Sequence, residues 1–532
     1  QRQMCIRDRN FMFYVFLCIL SQKTAHSKFQ KKIFTDNFIK SFLRNSYSYG
    51  MLIRNVNYLT IMNHKISKGG QDMQKRKKSV FPGGVHPTDG FDKALSMDSA
   101  VQPYCPETVT ILSEQSFGGK CSFLVSPGDH IKKGQLIGKP EAFMAAPLHA
   151  SVSGKVLEIK EVQEQGRSIM ACIVQKETDP EVNTELSYYK GAADISNISS
   201  QEILTGIRDG GLTGMGGAGF PTHKKYKTDK TITDLLINGA ECEPFLTCDY
   251  RLMLENGYAL LNGVRILLKA SGASKAYVCL EDNKPLAAEN LNKILAEMTA
   301  SGLMGQEENI EIKVLPTKYP QGGERQLIQA VLGREVPMGG LPADSAVIVS
   351  NVSTAKAAAD MLLGGRPLTE RIVTVTGAVK NPGNFLVPVG TSAKELIQLC
   401  GGVAVSENRV IAGGPMTGPC VANNWNGETE LFHVTKNTSG ILILPEPGFE
   451  EQPCIRCSGC ESVCPAGLVP YKIEFALLDE DYDLCEKLYA SECIACGCCS
   501  YICPARRELS LRTRAARDIV KQRIRERAVK KS

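Results

Sequence analysis

The chain has 532 residues, of which 43% are hydrophobic and 22% charged, and this length predicts several domains instead of one. Its net charge of +6 is carried by the two ends, because residues 1–72 hold 12 basic against 3 acidic residues, residues 506–532 hold 11 against 3, and the part between is acidic. The acidic body argues against nucleic-acid binding, and the lack of any run of about 18 apolar residues argues against a membrane-spanning helix.

Residues 1–72 differ in composition from the rest of the chain. They are rich in Phe, Lys, Asn, Ile and Tyr, and they contain 7 of the 18 Phe. Their apolar run Phe11–Leu20 is too short to span a bilayer, and no A-x-A-like cleavage site follows it closely. We therefore expect residues 1–72 to be a non-native leader and the working protein to begin near Met73.

The first folded unit is predicted over residues 73–190. The Gly- and Pro-rich segment Phe81–Pro87 precedes short β-like runs with turn signals between Cys121 and Ile159. The patterns pGDxIkkGqlIG and aplhAsvSGkV resemble the barrel-sandwich hybrid fold of biotinyl and lipoyl domains. Such carriers present a lysine at a hairpin tip, whereas the tip here is Phe143–Pro147. The resemblance therefore implies the fold without a swinging prosthetic arm, and we expect His149 to be structural.

A multidomain α/β protein is indicated by the next part of the chain, where apolar runs alternate with helical stretches over residues 191–368. Strands are expected at Leu235–Ile237, Ala276–Leu280, Ile312–Leu315 and Ala346–Val349, and a helix at Tyr250–Ala270. A β-rich unit and a connector follow over residues 369–444, with the β-rich pattern running from Arg371 to about Met416.

A glycine-rich loop within the α/β domain is the first candidate site. Residues Gly214–Gly219 include four glycines in six positions. Backbone N–H groups in such a loop can hold an anionic or flat group, and Lys224 and Lys225 supply cations for a phosphate. The segment Asn238–Pro244 follows a predicted strand, where ligands bind in open α/β sheets. A tight structural turn is the alternative interpretation of the loop.

Two cysteine runs near the C-terminus share the spacing C-x2-C-x2-C-x3-C-P, the pattern of two-cluster bacterial ferredoxins. In that pattern the fourth cysteine of each run binds the other cluster. The spacing predicts one 4Fe–4S cluster on Cys454, Cys457, Cys460 and Cys503, and a second on Cys493, Cys496, Cys499 and Cys464. Two zinc ribbons are the alternative, but they need no trailing Cys-Pro. Ten of the 20 cysteines lie between Cys454 and Cys503, which indicates metal ligation in a reducing compartment.

This α-helical, ferredoxin-like domain with two 4Fe–4S clusters is predicted over residues 445–505. Residues 506–532 are predicted to form a basic C-terminal helix with a ragged apolar stripe. We expect this helix to be solvated, with a contact to anionic lipid heads or an acidic partner as the alternative.

The loop GMGGAGFPTHKK followed by NGAECEP is similar to the flavin- and NADH-binding subunit of respiratory complex I. The resemblance implies noncovalent FMN held by Gly214, Gly216, Gly217, Gly219, Lys225, Asn238, Glu243 and Asn351. It also implies that NAD(H) binds beside Glu324, with Glu324 and Glu241 as the candidate catalytic residues. The aspartate of the family motif is replaced by Ala240 here. The unit from Arg371 resembles the β-grasp ligand-binding module of the same family.

The order of these units resembles the C subunit of the Rnf electron transport complexes over residues 80–505. The resemblance implies a peripheral protein at the cytoplasmic face of the membrane that docks onto membrane subunits and exchanges electrons with iron–sulfur or ferredoxin carriers. A flavin would link the two-electron chemistry of NAD(H) to one-electron clusters. Two alternatives remain open: a microcompartment cobalamin reductase with the same domain order, and an electron-conducting adaptor whose flavin fold is empty, for which Ala240 is the support.

Overall fold

The computed structural model describes residues 80–87, 93–177 and 191–530, apart from Ala193, Ala218, Gln306, Pro447 and Phe449. The leader expected over residues 1–72 lies outside the described residues. Within the described part of the chain, no helix combines the length and the apolar character that a membrane span requires.

The first unit consists of two facing sheets of short strands. Its strands are β2 (Thr108–Leu112), β3 (Cys121–Phe123), β4 (His130–Ile131), β5 (Leu136–Pro140), β6 (Leu148–His149), β7 (Gly154–Glu164) and β8 (Arg167–Lys176), whereas β1 (Val101–Pro103) joins another sheet. The sheet orders are β2-β8-β7-β4 and β3-β5-β6. Inward-facing residues of both sheets, including Val109 and Val174 from one and Ile137 and Leu148 from the other, form one apolar core.

His149 lies inside this unit, as the sequence predicts. Its ring is buried, and burial, with a contribution from the nearby Lys436 cation, lowers the pKa of its imidazole to about 3. The ring is therefore neutral at ordinary pH, which agrees with a structural role.

The second unit is a parallel sheet covered by helices on both faces. Its strands are β9 (Asp234–Asn238), β10 (Lys275–Glu281), β11 (Ile310–Leu315) and β12 (Val347–Asn351), in the order β11-β10-β9-β12. Its helices are α1 (Ser200–Asp209), α2 (Thr222–Tyr226), α3 (Cys248–Glu255), α4 (Gly257–Ser271), α5 (Pro285–Ala300), α6 (Glu324–Leu332) and α7 (Val352–Gly364). All three pairings are parallel, and the four predicted strands are confirmed.

Alternation along β9 shows how both faces of this sheet are covered. Leu235 and Ile237 belong to the core that contains α4 and α7, whereas Leu236 belongs to the core on the opposite face with Leu327 of α6. A strand buried on both faces reads as a continuous apolar run, as expected for parallel sheets.

The helix predicted over Tyr250–Ala270 is two helices in the structure. The chain bends at Asn256, which lies outside helical geometry and separates α3 from α4. A Cβ at Gly257 would lie 2.4 Å from Ile294 Cδ1 of α5, so the start of α4 packs closely against a neighbouring helix.

The third unit is built on a six-stranded mixed sheet. Its strands are β13 (Glu370–Gly377), β14 (Gly383–Pro388), β15 (Asn408–Ala412), β16 (Cys420–Asn423) and β17 (Gly440–Pro445), with α8 (Ala393–Leu399) packed against them. The order is β1-β14-β13-β17-β15-β16. The expectation that the β-rich pattern ends near Met416 and gives way to a connector is wrong for β16 and β17. β17 pairs with both β13 and β15 and so lies inside the sheet.

The fourth unit is helical. Its helices are α9 (Gly459–Ser462), α10 (Pro470–Leu478), α11 (Tyr482–Lys487), α12 (Cys498–Tyr501) and α13 (Leu509–Val529). The expectation that the C-terminal helix is solvated is wrong for its first half, since Leu509, Thr513, Ala516 and Val520 are buried. These residues recur every three or four positions and form one face that packs on the unit.

Candidate functional site

The glycine loop lies at the switch point of the parallel sheet. From β9 the chain moves to β10 and β11 on one side and returns to β12 on the other, so β9 and β12 are the strands on either side of the reversal. Ligands of open α/β sheets bind outside the carboxyl ends of such strands. β9 ends at Asn238 and β12 ends at Asn351, and the Met215 N–H of the glycine loop donates to Thr354 Oγ1, 3.1 Å away, just beyond β12.

The two asparagines form one polar network beneath the loop. Asn351 Nδ2 donates to Asp249 Oδ2 over 2.7 Å, and Asn351 Oδ1 accepts from the Ser353 N–H as the cap of α7. Asn238 Nδ2 donates to the Gly322 carbonyl, while Asn238 Oδ1 accepts from the Ala240 N–H. A Cβ at Gly216 would lie 2.8 Å from the Asn351 amide, so this glycine permits the close approach of loop and strand end.

Gly217 is the position at which the loop faces open space. A Cβ built there meets no atom of the described residues within 4 Å, and the Gly217 carbonyl accepts from Asn437 Nδ2 over 3.2 Å. The loop is closed by the Gly214 N–H, which donates to the Phe220 carbonyl, and Gly219 has φ of 70°. A flat ligand can therefore approach the loop backbone at Gly217, which fits the predicted flavin.

Lys225 and Glu324 meet at the same edge of the sheet. Lys225 Nζ donates to Glu324 Oε1 and to the Val349 carbonyl, each over 2.7 Å. Their side chains are 33% and 41% exposed, so both groups remain accessible to a ligand. Glu324 is also the first residue of α6. The structure thus brings together the cation and the carboxylate that the sequence assigns to FMN and to NAD(H).

Glu241 is placed differently from its predicted catalytic role. Its side chain is only 4% exposed, and its carboxylate accepts from the Asp249 and Tyr250 N–H groups at the start of α3. Burial raises the pKa of Glu241 to about 7, against the opposing effect of the Lys93 cation. The geometry favours a positioning role, in which Glu241 holds α3 against the strand ends.

The contacts of Glu243 also differ from the flavin contact that the resemblance predicts. Its carboxylate accepts from the Met416 N–H over 3.0 Å and from the Thr417 hydroxyl, and burial raises its pKa. Both partners belong to the loop that connects β15 and β16. Glu243 therefore ties the α/β unit to the third unit.

The eight predicted cluster cysteines line two separate cavities, four in each. Cys454, Cys457, Cys460 and Cys503 line one cavity, and Cys464, Cys493, Cys496 and Cys499 line the other, where Cys498 is also present. The fourth cysteine of each run thus lies with the first three of the other run. Among the described residues, no group of three or more His, Cys, Asp or Glu converges on a point where one metal ion would bind.

The backbone around the two cysteine runs repeats position by position. Arg456 and Ser458 have φ near 55°, and the equivalent Ala495 and Gly497 also have positive φ. The Arg456 N–H donates to Cys454 Sγ and the Ala495 N–H to Cys493 Sγ, both over 3.4 Å. Amide donors to sulfur are among the features that set the potential of an iron–sulfur cluster, so these cavities fit such a group.

The surroundings of the two cavities differ, and we name them the inner cavity (lined by Cys464, Cys493, Cys496 and Cys499) and the outer cavity (lined by Cys454, Cys457, Cys460 and Cys503). Beside the inner cavity, Cys496 and Cys498 pack in one apolar cluster with Cys242 and Tyr319 of the α/β unit and Met416 of the third unit. At the outer cavity Cys457 is exposed, and Ile455 is 69% exposed. The inner cavity therefore adjoins the other units, while the outer cavity faces solvent.

The segment Phe81–Pro87 holds the inner cavity against the α/β unit. The Gly84 N–H donates to the Val463 carbonyl, while Val85 and Tyr319 exchange backbone hydrogen bonds. A Cβ at Gly83 would lie 2.7 Å from the Cys464 carbonyl oxygen. Gly83 and Gly84 have φ of 66° and 79°, so both their conformation and their close contacts require glycine.

Several residues of this region carry no signal in the sequence that would have identified them. Asp249 binds both Asn351 and Ser353, Lys93 donates to the carbonyls of Glu243 and Leu246, and Arg325 pairs with Glu492 over 3.1 Å. Each contact joins residues at least 100 positions apart. A single sequence shows no periodic pattern for contacts of that kind, although the ECEPF segment itself marks the loop where several of them meet.

Comparison with known proteins finds three family models that match successive parts of the chain. Residues 79–180 match the family model of the RnfC barrel sandwich hybrid domain, residues 207–360 that of the Nuo51 FMN-binding domain, and residues 372–419 that of the SLBB domain. A solved NAD+-reducing NiFe hydrogenase in the H2-reduced state overlaps 62% of this chain and 62% of its own, with a TM-score of 0.44 and 18% identity.

Curated relatives match most of the chain, and each is the C subunit of an oxidoreductase complex. That of the proton-translocating ferredoxin:NAD(+) oxidoreductase complex of Clostridium ljungdahlii is 40% identical over 400 residues, which cover 73% of this chain and 82% of the relative. That of the Na(+)-translocating ferredoxin:NAD(+) oxidoreductase complex of Acetobacterium woodii is 37% identical over 455 residues, or 84% of this chain and 98% of the relative. That of the ion-translocating oxidoreductase complex of Rhodobacter capsulatus is 33% identical over 400 residues, or 74% and 73%.

Proposed function

The chain belongs to the family of C subunits of the ion-translocating ferredoxin:NAD(+) oxidoreductase complexes, and we propose that it passes electrons between NAD(H) and one-electron iron–sulfur carriers. The observation that carries this proposal is the connection between two sites. The loop that starts at Asn238, beneath the glycine loop, reaches the inner cysteine cavity at Cys242. The relatives support this function and give no support to the cobalamin reductase alternative.

FMN is the proposed cofactor of the glycine loop. The open space at Gly217 and the free approach to the backbone there fit a flat ring system. Lys225 would contact the phosphate, and Asn238 and Asn351 would hold the loop and strand ends in place. FMN supplies the conversion between a two-electron hydride donor and one-electron acceptors. Ala240 lacks the carboxylate of the family motif, and its backbone N–H and carbonyl are bonded to Asn238 Oδ1 and Lys284 Nζ, which hold the loop in place.

Glu324 is the proposed contact for the ribose hydroxyls of NAD(H). Its carboxylate is exposed enough to accept hydrogen bonds from a ligand. Lys225 pairs with this carboxylate and also donates to the Val349 carbonyl, which holds Glu324 near the end of β12. A carboxylate offers two acceptor oxygens, and hydrogen bonds to a charged acceptor are the stronger kind. Glu324 would thus orient the dinucleotide, while Glu241 and Glu243 support the loop from below.

Two 4Fe–4S clusters are the proposed occupants of the inner and outer cavities, with the eight cysteines as ligands. The exchange of the fourth cysteine between the runs, the paired positive-φ residues and the amide donors to sulfur support this proposal. Each thiolate of such a cluster binds a different iron, so its ligands stand apart instead of converging on one ion.

The proposed location is the cytoplasmic face of the membrane, where the protein would be peripheral and docked onto membrane subunits of the complex. Among the described residues, the outer cavity is the cysteine site that faces solvent, which supports an exchange of electrons with a ferredoxin or another iron–sulfur partner there. The proposed division of the chain assigns residues 73–190 to the hybrid, 191–368 to FMN and NAD(H), 369–444 to the β-grasp module and 445–505 to the clusters.

The test is NADH-driven reduction of an artificial acceptor by the FMN-loaded protein. We expect Glu324→Ala to raise KM for NADH roughly tenfold or more while FMN stays bound, because the ribose hydroxyls lose a charged acceptor worth about 1.5–3 kcal/mol. Gly217→Val should instead prevent FMN binding in a folded protein, since the branch fills the open space of the loop.

Glu335→Ala is the matched control, because Glu335 lies just beyond the same helix and its carboxylate pairs with Gln329, away from the loop. Normal NADH kinetics in Glu324→Ala would show that the nicotinamide dinucleotide binds elsewhere. A wild-type protein that takes up no flavin from solution would refute the proposed function and favour the electron-conducting adaptor.

A further inference from the structure

The segment Asn238–Pro244 runs from beneath the glycine loop toward the inner cavity. Asn238 is the last residue of β9, and Cys242, four residues later, packs against the buried residues Tyr319 and Cys498. Its thiol is partly buried, and Cys242 lines neither of the two cysteine cavities. Cys242 is therefore outside the proposed ligand sets, although its position joins the two sites.

Both backbone polar groups of Gly322 are held by this segment. The Gly322 N–H donates to Cys242 Sγ over 3.2 Å, and the Gly322 carbonyl accepts from Asn238 Nδ2 over 2.9 Å. A Cβ at Gly322 would lie 3.3 Å from Cys242 Sγ and 3.4 Å from Asn238 Nδ2, so the two side chains lie close against this residue. We call this pair of contacts the Gly322 clamp.

The Gly322 clamp lies immediately before α6. Gly322 precedes Glu324, the first residue of α6, by two positions, and Glu324 carries the carboxylate proposed for the ribose hydroxyls of NAD(H). Movement of Gly322 would therefore move Glu324 relative to Lys225, with which it pairs over 2.7 Å. The position of the proposed dinucleotide contact thus depends on Asn238 and Cys242.

The other contacts of Cys242 lead to the inner cysteine run. Cys498, which is fully buried, belongs to the apolar cluster against which Cys242 packs, and Cys496 packs against the same cluster. Cys496 and Cys498 both line the inner cavity. One thiol thus accepts a hydrogen bond from the dinucleotide loop and packs beside the inner cavity. A thiol suits this position because it combines a weak acceptor with a small, polarizable apolar group.

We propose that Cys242 is a positioning residue for both halves of the proposed reaction: the Gly322 clamp sets Glu324 for the dinucleotide, and the same thiol completes the packed contact between the flavin site and the inner cluster. This inference rests on the proposed function for the cofactors at both ends. Interior atoms are close-packed, and removal of a buried group leaves a gap. Electron transfer slows as such a gap widens. Each electron lost by FMN is gained by the inner cluster, and Cys242 itself stays unchanged.

The test compares Cys242→Ala with Cys242→Ser in the full chain loaded with FMN and clusters. Alanine removes both the acceptor and the volume of the sulfur, whereas serine retains an acceptor for the Gly322 N–H. We expect Cys242→Ala to weaken NAD+ binding, measured by calorimetry without turnover, roughly threefold to tenfold, in line with the loss of one hydrogen bond. Cys242→Ser should restore NAD+ binding.

The two variants should behave alike in a second measurement. After rapid mixing with NADH, the flavin absorbance and the EPR signal of the inner cluster report the two steps separately. We expect cluster reduction to lag further behind flavin reduction in both variants than in the wild type, because serine also lacks the volume of the sulfur. The potential of the inner cluster should stay unchanged, since neither substitution alters a charge, so the lag reflects the contact and not the driving force.

Cys400→Ala is the matched control, because Cys400 is a fully buried thiol in the core of the third unit and lines neither cavity. Wild-type NAD+ affinity or wild-type cluster reduction in Cys242→Ala would overturn the inference, as would a serine variant with weakened NAD+ binding. If Cys242→Ala does not fold, Cys242→Ser decides the outcome, since a lag there supports the inference and wild-type cluster reduction overturns it.

Failure of the proposed function would give a different result. A wild-type protein that takes up no flavin would refute that function. NAD+ binding that Cys242→Ala weakens and Cys242→Ser restores in the same protein would retain the Gly322 clamp, whereas NAD+ binding unaffected by Cys242→Ala would overturn the clamp as well.

Discussion

The inner and outer cysteine cavities have the same sequence pattern and the same local backbone, yet their surroundings are opposite. Residues 451–459 of the outer run are nearly all exposed, whereas none of residues 491–500 is fully exposed. The equivalent positions Ser458 and Gly497 show the difference most clearly. Ser458 faces solvent, while a Cβ at Gly497 would lie 2.6 Å from the Met416 carbonyl oxygen.

This contrast shows that the repeated spacing sets the local backbone of each run, whereas contacts with other units set its surroundings. Both runs have amide donors to a cysteine sulfur and positive-φ residues at equivalent positions. The inner run in addition contacts the α/β unit, the third unit and the segment Phe81–Pro87. The proposed electron path therefore has a direction in space, from the flavin edge through the inner cavity to the exposed outer cavity.

The test with the largest expected effect uses two variants, each of which removes one proposed ligand from one of the cavities. In Cys464→Ser we expect loss of the inner cluster, so that NADH no longer reduces the outer cluster, although a small dye still accepts electrons from the flavin. In Cys503→Ser the outer cluster is lost, and NADH still reduces the inner one. Iron should fall from about eight to about four atoms per chain in either variant, and EPR should lose one signal.

Cys485→Ala is the control for these variants, because Cys485 is a buried cysteine of the same unit that lines neither cavity. Cys498→Ala should likewise keep both signals. Reduction of the outer cluster by NADH in Cys464→Ser would show that electrons reach it by another route. Zinc without iron in anaerobically prepared protein would show that the cavities hold a different metal.

The next test is a substitution that we expect to destabilise both cavities equally. Glu474 is a fully buried carboxylate of α10, and it pairs with Arg507 and Arg512, which follow the second run. Removal of Glu474 takes one of two carboxylate partners from each arginine, since Arg507 and Arg512 also pair with Glu451, at a cost of about 1–3 kcal/mol. We expect Glu474→Ala to lower the denaturant concentration at which the protein loses both clusters, and to do so equally for the two, as measured by their visible absorbance. Asp479→Ala, at the exposed end of the same helix, should leave it unchanged, and loss of one cluster alone would contradict a shared support.

A smaller effect on cluster stability is expected from substitutions at the equivalent positions Gly497 and Ser458. Gly497→Ala places a Cβ against the Met416 carbonyl and at φ of 81°, which costs about 1–2 kcal/mol in the left-handed region alone. The inner cluster should become less stable and the outer one should not change. Ser458→Ala, at the equivalent outer position, is the matched variant and should be neutral. Equal destabilisation by the two substitutions would mean that the third unit does not support the inner cavity.

The smallest effect concerns the contact between Arg325 of α6 and Glu492, next to Cys493. Arg325→Ala leaves the Glu492 carboxylate unpaired beside the inner cavity, and added negative charge lowers a cluster potential. For an interaction of about 0.5 kcal/mol between the unpaired charge and the cluster, the shift of the cluster potential is ~20 mV. Redox titration should find this shift in the inner cluster alone. Arg334→Ala, whose partner Asp234 lies at the start of β9, should leave both potentials unchanged.

Local patterns predicted the strands of the α/β unit, since Leu235–Ile237 and Ala346–Val349 are apolar runs with clear ends. The cysteine grouping also followed from spacing. In contrast, the bend at Asn256 lies where Gly257 packs against Ile294 of another helix, and β17 pairs with β13, more than 60 residues earlier. Such interactions are set by tertiary contacts that a single sequence does not display.

The candidate site shows the same limit. The glycine loop, Lys225 and the two asparagines were assigned from motifs, and the structure brings them together. Glu241 and Glu243 stand in the same motif, but their carboxylates turn to α3 and to Met416. A motif states which residues are near a site, whereas the direction of each side chain depends on partners elsewhere in the chain.

The hydrogen bond from Gly84 to Val463 bears on the order in which the parts of this protein assemble. It joins residues from opposite ends of the described chain, and such a contact closes a long loop and forms late. The α/β unit emerges from the ribosome before the cysteine runs, and metal binding is coupled to folding of its ligands. Insertion of the proposed clusters would therefore complete only the contact between Gly84 and Val463, since Val85 and Tyr319 already join the N-terminal segment to the α/β unit. A chain without clusters would keep the segment Phe81–Pro87 on the α/β unit and lack only its contact with the cysteine runs.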